Sequence, residues 1–391
     1  MSASMRYAYF PGCSAAGSGI SFTLSGDYVV NKIGLELVEI PDWCCCGTSA
    51  ALLTDRNLAL ALPGRSLAIA EADPSTAGLD VATPCAGCFA SLKGVQHYVR
   101  QSQKHREFVE SLVEMPYAAS AEIFSLLELM CKDTPREAID TTISHSLRGV
   151  KVACYYGCAL VRPPKVTQFD DPENPQSMEG LLALTGAEPV DWAFKVECCG
   201  AAHQITEPKN ARVLVERIFE DAAANGAEVI ATACPLCWMN LDLRLGEINK
   251  HRAEEGKPIF DIPVYYFTQL LGLAMGGNVK ELGMDRHFYH AESLAKRVIT
   301  KAEAAAAAAA EAEAAAAKKR PAAKKEKAAA AAEAAADDGA EAPAAEAAPA
   351  EAPAAEAAPA EAAPAEAAPA EAAPAAEAPA ADASSNEEVA S

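Results

Sequence analysis

The chain has 391 residues with 54 acidic and 33 basic side chains, and fourteen of the acidic residues lie from Glu333 onward, where there is no Lys or Arg. The first 332 residues therefore carry about −7 of the formal net charge of −21, which does not indicate a protein that binds nucleic acid. Because no apolar run reaches the roughly 18 residues that span a bilayer, and Met1–Tyr9 does not resemble a secretory signal, we expect a soluble, cytoplasmic protein without a membrane span.

Strand and helix patterns alternate along the first 300 residues. In chain order, the first half predicts strand 5–10, helix 21–32, strand 35–40, helix 48–72 with a break or bend at Pro63-Gly64, strand 79–83, and helices 89–101, 105–113 and 121–131. The second half predicts strand 150–156, helix 178–185, strand 188–193, helix 208–225, strand 228–233, a helix ending at 249, strand 263–267 and helix 269–274. This alternation favours an α/β fold with a mainly parallel sheet in each half.

Ten of the thirteen cysteines form two copies of one pattern, which is a lone cysteine, an adjacent pair followed by glycine, and a Cys-x-x-Cys. The first cysteine set is Cys13, Cys45, Cys46, Cys85 and Cys88, and the second cysteine set is Cys158, Cys198, Cys199, Cys234 and Cys237. Corresponding cysteines lie 145, 153 and 149 residues apart, which indicates a duplication. All ten fall at or just after predicted strand ends, where parallel α/β sheets bind their ligands.

The duplication predicts two tandem cysteine-rich domains followed by a tail. We place the first domain at residues 1–147, the second at 148–301, and a low-complexity Ala/Glu/Lys/Pro tail at 302–391. Alanine cannot supply a core and recurrent proline prevents helix, so we expect the proline-containing part of the tail to be disordered.

The chemistry of the cysteine sets indicates a metal centre. Thiolates select iron–sulfur clusters, zinc or copper(I), and structural zinc usually takes four ligands, whereas each half offers five. Each Cys-x-x-Cys precedes a helix, whose dipole and free N–H groups favour thiolates and an anionic cluster, while Gly47 and Gly200 let the backbone pass close to it. We therefore predict iron–sulfur clusters, with zinc in at least one domain or thiol chemistry alone as the alternatives. The compact ferredoxin run is absent, so a partner would have to supply electrons.

Three cysteines fall outside the pattern. Cys131 and Cys154 stand among apolar residues, and we expect them to pack in the core. Cys44 leaves the register of the first pair ambiguous, and we choose Cys45-Cys46 because Gly47 then corresponds to Gly200.

Five motifs carry a resemblance to a known family, and they are Phe10-Pro11-Gly12-Cys13, Pro41-Asp42-Trp43, Cys45-Cys46-Gly47, Cys198-Cys199-Gly200 and Cys234-Pro235-Leu236-Cys237. Over about residues 5–290 the chain resembles the B subunit of heterodisulfide reductase and its cysteine-rich (CCG) domains. The resemblance implies two noncubane [4Fe-4S] clusters held by the two cysteine sets, in a catalytic subunit that reduces or forms a disulfide between two small thiols. It also implies a ferredoxin-like C subunit that passes electrons and, in many complexes, a flavin-containing A subunit.

Two positions depart from the family pattern, since Ala159 replaces a frequent His and Ala201-Ala202-His203 replaces a glycine-rich run. We therefore expect a different substrate pocket. Candidates to hold an anionic thiol substrate are Lys93, Arg162 and Lys165, and a candidate proton relay is His203; surface, ion-pairing or structural roles are the alternatives.

The prediction is thus a thiol–disulfide oxidoreductase subunit of heterodisulfide-reductase type. One alternative is an electron-transfer subunit of another oxidoreductase without disulfide chemistry of its own, and the other is a zinc-stabilised scaffold.

Overall fold

The computed structural model describes residues 5–48 and 50–289, together with residues 296, 300, 303, 304 and 307–312 of the segment beyond. All of these residues belong to one compact unit. Apart from 303, 304 and 307–312, the predicted tail lies outside the described residues. The domain boundaries at 147/148 and 301/302 stay predictions.

Two four-stranded parallel sheets form the framework. The first sheet contains β1 (Arg6–Tyr9), β2 (Glu36–Glu39), β3 (Val81–Thr83) and β4 (Ile123–Ser125) in the order β2-β1-β3-β4. The second contains β5 (Lys151–Tyr155), β6 (Glu188–Pro189), β7 (Val229–Thr232) and β8 (Val264–Tyr266) in the order β6-β5-β7-β8. Every strand pair in both sheets is parallel. The identical order confirms the predicted α/β fold and its duplication.

Helices connect the strands, as a parallel sheet requires. Those of the first half are α1 (Ile20–Lys32), α2 (Ala51–Thr54), α3 (Arg56–Ala72), α4 (Ala86–Arg100), α5 (Gln103–Val113), α6 (Leu126–Met130) and α7 (Asp133–Thr142). Those of the second half are α8 (Pro164–Thr167), α9 (Ser177–Leu182), α10 (Pro208–Ala224), α11 (Pro235–Glu254) and α12 (Phe267–Ala274), with 3₁₀ turns at Ala183–Thr185, Ala193–Val196, Ala201–His203 and Met284–Arg286. Every residue of β3, β7 and β8 is buried, which is typical of parallel strands covered on both faces.

Of the predicted break or bend at Pro63-Gly64, the break is wrong, because α3 runs through both residues and the interruption lies at Asp55. The Asp55 carboxylate accepts hydrogen bonds from the backbone N–H groups of Asn57 at 2.6 Å and Leu58 at 3.1 Å. An N-terminal cap of this kind satisfies free donors at a helix start, so a new helix begins there.

The predicted helix 121–131 is also wrong in its first part. Residues Ile123–Ser125 form β4, which pairs in register with β3. Helix α6 begins only at Leu126, where the Ser125 hydroxyl accepts a hydrogen bond from the Glu128 N–H at 3.0 Å. Such a short apolar run has no periodicity that separates strand from helix.

The predicted strand 188–193 is shorter than expected, because β6 ends at Pro189. The backbone N–H groups of Ala193 and Phe194 donate to the Asp221 carboxylate at 2.9 and 3.2 Å, which draws the chain away from the sheet into a 3₁₀ turn.

The two halves are joined by a buried interface between α1 and α12. The rings of Phe22 and Tyr266 stack with centroids 4.4 Å apart and an angle of 10° between their planes. The hydroxyls of Ser25 and Thr268 lie 2.7 Å apart in the same interface and are buried. These contacts fix the second half against the first, and with it one cysteine set against the other.

Candidate metal centre

Both cysteine sets lie at the carboxyl ends of their strands. In each half the lone cysteine follows the first strand, the adjacent pair follows the second, and the Cys-x-x-Cys begins the helix after the third; in chain order these cysteines are Cys13, Cys45, Cys46, Cys85 and Cys88, then Cys158, Cys198, Cys199, Cys234 and Cys237. Cys85 and Cys234 are the residues that immediately precede α4 and α11. The local fold thus gathers each set at one edge of its sheet.

The thiols of the first cysteine set meet in pairs. The Sγ atoms of Cys46 and Cys88 lie 3.3 Å apart, and hydrogen bonding with Cys88 lowers the pKa of Cys46 to about 7, helped by the N–H of Thr48 and the hydroxyl of Ser91. Burial raises the pKa of Cys13 to about 11, and a hydrogen bond with Cys45 contributes to that rise. Cys46 is therefore the thiol of this set most readily converted to a thiolate ligand.

The second cysteine set repeats these pairs. A hydrogen bond with Cys198 raises the pKa of Cys158, and the same bond lowers the pKa of Cys198 to about 6 with help from the Gly200 N–H, 3.3 Å from its sulfur. Hydrogen bonding with Cys237 likewise lowers the pKa of Cys199. The lone cysteine therefore pairs with the first member of the doublet, and the second member pairs with the last cysteine, in both halves.

The two sets also meet each other. A hydrogen bond between Cys85 and Cys234 raises the pKa of Cys85 and contributes to the lowered pKa of Cys234, after the larger contribution of Cys237. Both residues are buried. They are corresponding residues of the duplication, so the contact joins the two halves at equivalent points.

Glycines make room for these sulfur atoms. Gly12 and Gly157 have φ values of +77° and +67°, and a Cβ atom on them would lie 3.0 Å from Cys88 Sγ and 2.9 Å from Cys237 Sγ. A side chain at either position would be strained by the backbone conformation and would press on a thiol.

Buried hydroxyl groups lie next to the same motifs. The hydroxyls of Thr83, Thr232 and Tyr266 are buried and have no hydrogen-bond partner among the described residues. Buried polar groups nearly always have partners, and the sulfur of an anionic cluster is an acceptor that would provide one. Five thiols, a glycine cradle and unpartnered donors in each half thus fit an iron–sulfur cluster. Within the described part of the chain, no group of three or more His, Cys, Asp or Glu side chains is arranged to hold a metal ion.

The remaining cysteines point elsewhere. The Cys44 thiol lies 3.3 Å from the Leu62 carbonyl oxygen and 3.7 Å from the Ser66 hydroxyl, so it faces α3 rather than the other thiols. Cys154 is fully buried in β5, and Cys131 is partly buried against the core with its sulfur 3.5 Å from the Ser177 carbonyl oxygen.

The predicted substrate-binding cations have different environments. Lys93 is buried on α4, with its Nζ 5.7 Å from the centroid of the Phe89 ring, and its charge opposes the burial that raises the pKa of Glu128 to about 7. Arg162 forms an ion pair with Glu173 at 2.8 Å. Lys165 is exposed on α8, which packs against α4.

His203 is exposed on the 3₁₀ turn after the second doublet. An electrostatic interaction with His203 contributes to the lowered pKa of Cys198. Its role as a proton relay stays a prediction.

A cleft of about 770 Å³ beside the first cysteine set was not predicted. It is lined by Tyr9, Cys13 and Trp43 together with the acidic residues Asp27, Glu36 and Glu39, and by no Lys, Arg or His among the described residues. Burial raises the pKa of Asp27. Its acidic lining does not suit an anionic substrate.

The fold and the paired thiol sets define a duplicated cysteine-rich protein. The CCG cysteine-rich domain family matches the chain twice, over residues 7–93 and 152–242. The chain is 30% identical over 292 residues to the 8-methylmenaquinol:fumarate reductase membrane anchor subunit of Wolinella succinogenes, covering 74% of this chain and 99% of that protein. It is 28% identical over 298 residues to the B subunit of the ferredoxin/F420H2-dependent CoB-CoM heterodisulfide reductase of Methanosarcina acetivorans, covering 74% and 96%.

An Archaeoglobus profundus protein, named for its likeness to the B subunit of heterodisulfide reductase, is 28% identical over 280 residues, which cover 70% of this chain and 91% of that one. A crystal structure of a hypothetical protein from Helicobacter pylori shares the fold with a TM-score of 0.58 and 13% identity, over 73% of this chain and 52% of that one.

The chain belongs to the family of tandem CCG-domain proteins that contains the B subunit of heterodisulfide reductase. These relatives are named as subunits of fumarate and heterodisulfide reductases. No helix in the described part of the chain has both the length and the apolar character needed to cross a membrane. The cytoplasmic location stays a prediction.

Proposed function

We propose that each cysteine set binds one noncubane [4Fe-4S] cluster through five thiolates, and that the chain reduces or forms a disulfide between two small thiols. The contact between Cys85 and Cys234 carries this proposal, because it brings two equivalent thiolate sets together. Reduction of RS–SR′ by two electrons and two protons breaks one S–S bond and gives RSH and R′SH. When bound, the two adjoining clusters supply the two electrons, one each, and a binding position for each sulfur.

Exposed residues of the chain would bind the substrate and supply the proton. Cys13, Cys45 and Cys198 are exposed, so a substrate would approach the centres from this side. His203 interacts electrostatically with Cys198 and would donate a proton to a departing thiolate. Lys165, exposed on α8, would attract an anionic substrate. The position of Cys44 against α3 supports the choice of Cys45 and Cys46 as ligands.

Electrons would come from a ferredoxin-like C subunit, with a flavin-containing A subunit where the complex has one. The relatives named as components of heterodisulfide reductases support this arrangement. The sequence has no compact ferredoxin run that would let the chain accept electrons through a cubane cluster of its own.

Metal analysis of the anaerobically purified chain tests the centres first. We expect about eight iron atoms and about eight sulfides per chain, as two [4Fe-4S] clusters require. Zinc without iron and sulfide would refute the proposal and favour a zinc-stabilised scaffold. The disulfide reaction is then tested by supplying a reduced viologen dye and small disulfides and measuring free thiols.

A second candidate is an electron-transfer subunit that has no disulfide chemistry of its own. It is favoured by the match to a fumarate reductase subunit over 99% of that protein's length, and by the burial of Lys93 and the ion pair of Arg162 with Glu173. A chain with full iron content that oxidises no reduced dye in the presence of any small disulfide, yet passes electrons to a partner protein of the complex, would establish this candidate instead.

A further inference from the structure

Tyr266 lies where the two halves meet. It is fully buried at the end of β8, and its ring is stacked on Phe22 of the first half at 4.4 Å and on Trp238 of the second half at 5.2 Å. Its register partner on β7 is Thr232, and residues in register on neighbouring parallel strands place their side chains on the same face. Cys234 follows Thr232 by two residues in extended backbone and so shares that face. Tyr266 therefore faces the Cys-x-x-Cys of the second set.

The Tyr266 hydroxyl has no hydrogen-bond partner among the described residues. Two other buried tyrosines near the second set do have partners, since Tyr155 donates to the Glu197 carbonyl at 2.6 Å and Tyr156 donates to the Glu179 carboxylate at 2.5 Å. A buried phenol without an acceptor is unfavourable, which indicates an acceptor that the protein atoms do not provide.

The charges around Tyr266 come from both cysteine sets. Burial raises its pKa well above the usual value, and charge on Cys234, Asp242, Cys85 and Cys237 raises it further. A tyrosine phenol, with an ordinary pKa of about 10, is neutral at physiological pH and donates its hydrogen to a neighbouring anion. The Asp242 carboxylate accepts from the Phe288 N–H at 2.6 Å through Oδ2, while its buried Oδ1 has no hydrogen-bond partner among the described residues and therefore does not accept from Tyr266.

We propose that the Tyr266 hydroxyl donates a hydrogen bond to a sulfur atom of the cluster that the second cysteine set holds. This inference rests on the proposed function, since it requires the cluster of the second half. A hydrogen bond to such a sulfur stabilises the reduced, more negative form of the cluster, so it raises the reduction potential. Tyr266 is thus a positioning and tuning residue rather than a catalytic one.

At the corresponding place the first half has Ser125, the last residue of β4. Its hydroxyl is carried on Cβ, far short of the reach of a phenol hydroxyl, and lies at the start of α6, where it accepts from the Glu128 N–H at 3.0 Å. The two clusters would therefore differ in reduction potential despite their matching thiolates, with the second cluster higher.

Tyr266→Phe tests the proposal, because it removes the hydroxyl and keeps the stacked ring. Tyr117→Phe is the control, since Tyr117 is also buried but its charged neighbours are Glu71 and Arg100 rather than cysteines. Iron and sulfide content, paramagnetic resonance during a potentiometric titration, and coupling to exchangeable protons are measured on each anaerobically purified protein.

We expect Tyr266→Phe to keep its iron and to make reduction of one cluster about tenfold less favourable, which equals about 59 mV for a one-electron couple. One exchangeable-proton coupling should disappear from that cluster, and Tyr117→Phe should match the wild type. Full iron content with an unchanged potential and coupling would overturn this inference alone, whereas wild-type protein without iron would overturn the proposed function and this inference together. If Tyr266→Phe loses its iron, the test uses the paramagnetic spectrum of the wild-type protein instead. The absence of any exchangeable-proton coupling in that spectrum would overturn the proposed hydrogen bond.

Discussion

Substitution of Gly157 by alanine separates backbone strain from pressure on a cluster ligand. Gly157 has a φ of +67°, and a Cβ atom there would lie 2.9 Å from Cys237 Sγ. Gly226 has a nearly equal φ of +73°, and a Cβ atom there would meet nothing within 4 Å. Gly157→Ala and Gly226→Ala therefore impose the same left-handed conformation on alanine, at a cost of about 1–2 kcal/mol each. Only the first adds a close contact with a thiol.

The expected results differ accordingly. Both variants should lower the midpoint of thermal unfolding by about 2–8 °C, the shift expected from that cost in a domain of about 150–250 residues. Because Cys237 is buried and cannot move freely, Gly157→Ala should also displace its sulfur from the position that the cluster requires. Functional sites tolerate displacements of only about 0.5 Å, so the second cluster should be lost and the first retained.

Iron and sulfide content, paramagnetic resonance and thermal unfolding are measured on both variants and the wild type under anaerobic conditions. Gly226→Ala should keep the full iron content, and Gly157→Ala should keep about half, because one of two like clusters is lost. If Gly157→Ala keeps all of its iron and a wild-type spectrum, the argument that the chain must pass close to this sulfur is refuted. Equal iron loss in both variants would show that backbone strain, rather than the contact with Cys237 Sγ, causes the loss of the cluster.

Three further predictions concern single side chains. Cys46→Ser should abolish the paramagnetic signal of the first cluster and Cys44→Ser should not, because Cys46 lies 3.3 Å from another thiol of its set; the reverse result would move the register by one residue. Burial raises the pKa of Glu128 from 4.5 to about 7, so its contribution to stability is complete below pH 4.5 and is lost as the pH rises through 7. Glu128→Gln should remove the fall in the free energy of unfolding between pH 4.5 and 7, as measured by urea denaturation. An unchanged fall would show that Glu128 is not the group responsible. Asn240 donates to the Cys199 carbonyl at 2.6 Å, so Asn240→Ala should cost about 1–3 kcal/mol and speed iron loss to a chelator from the second cluster alone.

The sequence predicted the parts of the molecule that depend on local order and repetition. The matching offsets of the cysteines predicted the duplication, and the Cys-x-x-Cys motifs predicted a helix at each, although α4 and α11 begin inside the motifs, at Ala86 and Pro235, rather than after them. The position of each thiol at a strand end followed because parallel strands bring their carboxyl ends to one edge. Correspondence between the halves could also have predicted β4, since Val264–Tyr266 was recognised as a strand and Ile123–Ser125 occupies the same place.

Contacts between the halves could not be predicted in this way. The meeting of Cys85 with Cys234 depends on how α1 packs against α12, and no periodic pattern encodes that docking. The same holds for Lys93, whose charge suggested a surface role, although its side chain is buried on α4 beside Phe89. Such environments are set by tertiary packing, which overrides the usual preference of lysine for solvent.

Duplication gave the two halves the same thiolate sets, but the residues around them have diverged. Phe10 and Tyr155 hold corresponding places, yet only Tyr155 has a hydroxyl, which bonds to the chain beside Cys198 through the Glu197 carbonyl. Ser91 contributes a hydrogen bond to the Cys46 thiol, whereas its counterpart Asn240 holds a backbone carbonyl of the second doublet. Hydrogen bonds to the ligands and their surroundings tune a cluster as strongly as the ligands themselves. Two clusters bound by one repeated pattern would therefore differ in reduction potential, because the residues around their ligands differ.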